Sequence, residues 1–156
     1  MKKKVIIYSL LILGLLLGLG LFRDFLFTNI NFWLYELYYQ RGDFELPASL
    51  SSFNSFSYAQ LYYFKWVLTV LFSLLYLLVY LLGIWVIFRQ KKFLIWTIAA
   101  FVFIYVIAGC FYIYGWAFND LKQGYQFART FMGFVQSPFL LMLLIPAFML
   151  DKKMQL

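Results

Sequence analysis

The chain has 156 residues, 65% of them apolar, with mean hydropathy +0.85, formal charge +7 and no histidine. A soluble domain of this length does not need so much apolar surface; a bilayer does, because it solvates apolar side chains outside the fold as well as in the core. The positive charge could suit nucleic acid, but its distribution points to a membrane instead.

Eight of the 13 basic residues sit in three clusters separated by apolar runs: Lys2, Lys3 and Lys4; Arg89, Lys91 and Lys92; Lys152 and Lys153. Cytoplasmic flanks of membrane spans are the ones enriched in Lys and Arg. With Asp151 as their one acid, the clusters carry the whole +7. Elsewhere Arg23, Arg41, Lys65, Lys122 and Arg129 are balanced by Asp24, Glu36, Asp43, Glu45 and Asp120. The pattern predicts an all-α integral membrane protein, a single membrane domain over 1–156, with four spans and both termini cytoplasmic. The lysines also favour contact with anionic membrane lipids.

The first expected span covers 5–22. Its lysine flank resembles a signal peptide, but an uncharged run of 18 residues exceeds the usual h-region and no A-x-A-like site follows, so an uncleaved anchor is expected. Gly14 and Gly18 form a small-xxx-small pair that allows a second helix to approach. The outer segment, 23–65, is too apolar for a free loop. Leu26, Ile30, Trp33, Leu34 and Leu37 share one helical face, with Thr28, Asn31, Tyr35, Glu36 and Tyr39 opposite. This predicts an amphipathic helix lying on the outer leaflet. Arg41-Gly42-Asp43 reads as the turn after it, and 46–55 as a Ser-rich loop.

The second span, 66–88, is expected to belong to a longer helix, because Ser57-Tyr58-Ala59-Gln60 matches a capping box. Tyr58, Tyr62, Tyr63 and Trp66 suit an aromatic belt at the membrane surface. The third span, 93–118, ends in Tyr112, Tyr114, Gly115 and Trp116. Cys110, within it, cannot form an internal disulfide and reads as a small buried hydrophobe.

The fourth span, 131–150, is irregular. Residues 139–150 alone would rise about 18 Å, short of a hydrocarbon core of about 30 Å. The crossing therefore has to include residues before Gln136-Ser137-Pro138. Ser137 as N-cap followed by Pro138 would start a new helix, whereas Pro138 inside a longer helix would kink it. Pro146 predicts a second break. Irregular backbone at membrane depth needs protein or water to satisfy its freed groups, so this span is expected to be the most enclosed.

The first three spans hold no Asp, Glu, Lys, Arg or His. Proton relays and ion-coupled transport use such groups within the membrane. Metal sites need clusters of His, Cys, Asp or Glu, and a nucleophile needs a base. No enzyme, cofactor or metal site is expected, and a small oligomeric transporter ranks last for lack of an acid in a span. The binding candidates are Arg129, Gly133 and Gln136, spaced i, i+4, i+7 on one helical face, with Pro138 beyond them. There Arg129 could hold a phosphate or carboxylate. The structural alternatives are an arginine that snorkels to headgroups or pairs with Asp120 or Asp24. Arg23 and Asp24, directly after the first span, are neighbours that need not pair with each other.

Phe127-Ala128-Arg129-Thr130-Phe131 leads into Gln136-Ser137-Pro138 and then Phe139 through Ile145-Pro146-Ala147-Phe148, with lysines beyond. This C-terminal stretch resembles the exosortase F-associated membrane proteins. Leu26-Phe27 with the aromatic run to Tyr39, and Tyr63-Phe64-Lys65-Trp66 leading to Leu68, Phe72 and Ser73, are similar in order and character. The resemblance implies a small four-span protein of a bacterial inner membrane, associated with an exosortase. Exosortases are membrane transpeptidases that use Cys, Arg and His to process C-terminal sorting signals. With no histidine, this chain would be a non-catalytic accessory subunit in protein sorting, packing against an exosortase-like partner. The alternative is a lipid- or peptide-binding membrane protein that uses Arg129 and Gln136 near the outer face.

Overall fold

The computed structural model describes residues 2–40, 42 and 44–154, and the side chains of most of them. Among these residues there are only helices and connections: α1 (Lys2–Tyr39), a 3₁₀ helix (Ala48–Ser55), α2 (Tyr58–Phe88), α3 (Lys91–Ala117), α4 (Leu121–Val135) and α5 (Phe139–Met154). Three of them, over Ile7–Tyr39, Tyr58–Phe88 and Lys91–Ala117, are long and apolar enough to cross a membrane. The pair Leu121–Val135 and Phe139–Lys153, bent by 59°, is a fourth candidate. Exposed Leu, Val, Phe and Trp side chains cover these helices, as expected where lipid replaces water as the surrounding medium. Cys110 is among the exposed residues; it is not the buried hydrophobe its apolar run suggested.

Contacts divide the chain into two units: Gly18–Leu74, and Met1–Leu17 with Leu75–Leu156. Each is described by itself.

In the unit Gly18–Leu74, the expected interfacial helix is not a separate element. α1 runs for 38 residues without a break, about 57 Å at 1.5 Å per residue. The reason lies in what covers the apolar face. Leu26, Ile30 and Leu34 are buried by protein, with Phe22 and Phe27 each 6.0 Å from Phe72 of α2. Glu36, assigned to the polar face, is buried and partnered. Gln40 and Gly42 take left-handed φ of 52° and 73° just after the helix, as a turn there requires; Arg41 and Asp43 lie outside the described residues. The expected Ser-rich loop contains the 3₁₀ helix instead. Its buried Leu50 and the Phe53, Phe56 and Phe64 cluster hold it down.

The capping box at the start of α2 is formed in both directions. Ser57 N donates to Gln60 Oε1 at 2.9 Å and Gln60 N to Ser57 Oγ at 3.4 Å. The belt residues Tyr58, Tyr62, Tyr63 and Trp66 are all exposed.

In the other unit, Arg89 and Gln90 alone join α2 to α3, with Arg89 at φ 52°. Phe88, Phe93 and Phe148 pack together at this end, with centroids 4.8–5.8 Å apart. Lys92 Nζ pairs there with Asp151 at 2.8 Å. The opposite end turns through Asn119, at φ 55°, into α4. Asp120 caps α4 by accepting from Gln123 N at 3.2 Å. α4 folds back along α3: Phe111 stacks on Phe127 and Phe131, each at 5.3 Å. Gly115 and Gly124 meet so closely that a Cβ on either would lie 2.7 Å from the other's Cα.

One expectation about the fourth span changes. Pro146 lies inside a continuous α5; losing the one bond to Met142 does not end the helix. Among the three unbroken candidate spans α2 has the largest buried share, 33% of its most apolar stretch. In α5, Leu140, Leu141 and Phe148 are buried, while Phe139, Met142, Leu143, Met149 and Leu150 are exposed.

Candidate functional site

The break between α4 and α5 is where this chain departs most from regular helix, so its polar groups need partners. Gln136 N donates to Met132 O at 3.0 Å and closes α4. Pro138 lacks the N–H that would have served Phe134 O, and the break between α4 and α5 leaves the Val135 and Ser137 carbonyls outside the helical ladder. Both lie within hydrogen-bond reach of the Tyr80 hydroxyl on α2, Val135 O at 2.6 Å and Ser137 O closer still. Tyr80 is fully buried. An unmet carbonyl in an apolar interior costs several kcal/mol, so one phenol at the right height makes the break tolerable. The expected serine cap is not formed. Ser137 Oγ donates back to Phe134 O at 2.9 Å, and the first carbonyl of α5 to accept is that of Pro138, from Met142 N at 3.1 Å.

Arg129, Gly133 and Gln136 remain on α4 and its C-cap but differ in depth. Arg129 is exposed, Gly133 half-buried and Gln136 only 4% exposed. The Gln136 side chain is buried and already partnered, while the Arg129 side chain lies at the surface. The alternative of pairing with Asp120 is not realised. Asp120 serves as the α4 cap, and Asp24 accepts from Arg23 Nη1 at 2.9 Å. The two adjacent residues do pair: the arginine stem is long enough to reach sideways, and its guanidinium also lies 5.2 Å from the Phe27 ring centroid. Arg23 and Asp24 belong to the unit Gly18–Leu74, Arg129 to the other.

α4 itself has two unlike faces. Gly124, Phe131 and Val135 form the one that packs inward, where Gly124 and Val135 are buried, and Phe127, itself exposed, stacks on Phe111 at its edge. Lys122, Gln126, Arg129 and Thr130 form an exposed polar one. Among the described residues, Arg129 makes no hydrogen bond or ion pair.

Gly14 and Gly18 are exposed, and a Cβ added at either meets nothing within 4 Å. The close helix approach is made by Gly115 and Gly124 instead, which spacing alone does not reveal because they lie on different helices. Tyr80 was also missed. A tyrosine in mid-span, far from any belt, is the signal that would have found it. Among the described residues, no three His, Cys, Asp or Glu come together as a metal site requires.

No protein-family model, curated protein or solved structure matches this chain.

Proposed function

We propose that this chain is a non-catalytic accessory subunit of an envelope protein sorting or processing system of the exosortase type. It would reside in a bacterial inner membrane with both termini cytoplasmic and act by packing against a membrane enzyme. The observation that carries this reading is the open glycine face of α1. The chain uses Gly83, Gly115 and Gly124 for contacts of its own, whereas Gly14 and Gly18 meet nothing. Exposed Leu10, Leu11, Leu15, Leu17 and Leu21 lie along the same stretch. A small-xxx-small step flanked by large apolar side chains suits a second helix, because association in lipid depends on close packing more than on hydrophobicity. The resemblance in 127–148 and the basic clusters flanking the apolar runs support the partner class and the orientation.

The test is a mild-detergent pull-down of the tagged chain from native membranes, paired with deletion. A stoichiometric membrane enzyme is expected in the pull-down, and its abundance and substrate processing should fall when the chain is deleted. If both stay unchanged on deletion, the accessory reading is lost.

A further inference from the structure

The exposed face of α4 carries polar and basic side chains and lies near exposed aromatic residues of α3. Lys122, Gln126, Arg129 and Thr130 lie outward, and α4 contains no acid. The nearest acid, Asp120, is engaged as the helix cap. The opposite face is closed against α3 through the glycine contact and the Phe111 stack, so α4 cannot roll to hide its charges. Depth follows from the same stack. Arg129 lies between Phe127 and Phe131, at the level of Phe111, six residues before the end of α3 and hence about 9 Å along its axis. Tyr112, Tyr114 and Trp116 are exposed around that level, and exposed Tyr and Trp belong at the headgroup boundary. The Lys92–Asp151 pair marks the other end of α3. One turn further along α4, a Cβ at Gly133 would meet nothing within 4 Å, which leaves room beside Arg129 for a bulky group.

We propose that this face binds the phosphate of an anionic lipid headgroup. The Arg129 guanidinium would hold two phosphate oxygens, Lys122 would add a second charge, and the lipid's glycerol would run past Gly133. A phosphate diester suits these groups because they offer donors and positive charge, and the one carboxylate near them, Asp120, is engaged as the helix cap. The inference does not depend on the accessory reading, since it concerns the purified chain alone.

The test uses the full chain in detergent micelles doped with phosphatidylglycerol, with retained lipid counted by native mass spectrometry. Arg129→Glu is expected to lower retention about tenfold, the order expected for a lost bidentate charged contact. Lys122→Glu should lower it less, and Arg129→Lys should keep part of it. The double change Lys152→Gln with Lys153→Gln, at the other end, should leave this lipid bound. Circular dichroism of each variant separates lost binding from lost folding, and Lys122→Glu carries the test if Arg129→Glu does not fold. Wild-type retention in both charge reversals overturns the proposal. So does displacement of the lipid by inorganic phosphate, which would mean a free-ion site. Unchanged lipid together with loss of a co-purified protein from Arg129→Glu would also overturn it, and would assign Arg129 to a protein contact.

Discussion

The two glycine pairs of this chain have opposite surroundings. Gly115 and Gly124 face each other across the α3–α4 hairpin, where a Cβ on either would fall 2.7 Å from the opposing backbone. Gly14 and Gly18 lie one turn apart on a single helix, and space surrounds both. The first pair builds the fold and the second is left over by it. A glycine in a helix costs stability through backbone entropy, so each needs a reason. The structure supplies one for the first pair, and the proposed partner supplies one for the second.

Alanine at these positions should therefore act with opposite sign. Gly115→Ala or Gly124→Ala puts a methyl against backbone that no rotamer change can move. A loss of about 1–3 kcal/mol is expected, outweighing the roughly 1 kcal/mol gained in helix propensity. Gly14→Ala and Gly18→Ala meet nothing, so the propensity gain should appear by itself as equal or higher stability. Thermal melting of the full chain in detergent, followed by circular dichroism, checks both. A destabilising Gly14→Ala would mean that α1 is packed where the structure leaves it open.

The next effect concerns the break that lets α4 stay on α3 while α5 leaves at 59°. Tyr80→Phe removes the hydroxyl that serves the Val135 and Ser137 carbonyls and little else. A loss of about 1–3 kcal/mol is expected from the unmet buried acceptors. Hydrogen exchange should rise in 134–142 and not in the α3–α4 hairpin. Uniform exchange across both would show that the phenol does not act locally at the break.

On the partner side, Gly14→Leu with Gly18→Leu should leave the melting of the isolated chain nearly unchanged while greatly reducing recovery of the membrane partner. Equal recovery would remove the glycine face from the interface.

How much of this was legible in the sequence depended on whether the cause was local. The start of α2 was readable because Ser57 and Gln60 cap a helix within one turn, and the break at 136–138 because proline acts on its own backbone. The continuity of α1 past Arg23 was not, since it rests on Phe72 and other α2 residues covering a face that a membrane surface could equally have covered. Ser137 followed a standard cap pattern but donates backward to Phe134 O, the carbonyl that loses its donor because Pro138 has no N–H. Pro146 shows the limit of the rule that served at Pro138: a proline removes one bond, and a break needs more than that. The i, i+4, i+7 spacing places Arg129, Gly133 and Gln136 on one face but does not reveal their burial, which runs from exposed at Arg129 to 4% exposed at Gln136.

The smallest expected effect lies where α2 turns into α3, at the opposite end of α3 from α4. Lys92 and Asp151 pair at 2.8 Å with side chains 47% and 37% exposed, so solvent screens them and removal should cost only about 0.2–1 kcal/mol. Asp151→Asn should therefore shift melting slightly at low salt and not at all at high salt, where exposed pairs are screened. The Phe88, Phe93 and Phe148 cluster beside it carries the packing there and does not respond to salt. Orientation should not change either, because acids weigh little against Lys and Arg in setting topology. A shift that persists in high salt would mean that Asp151 holds the end of α5 through something other than charge.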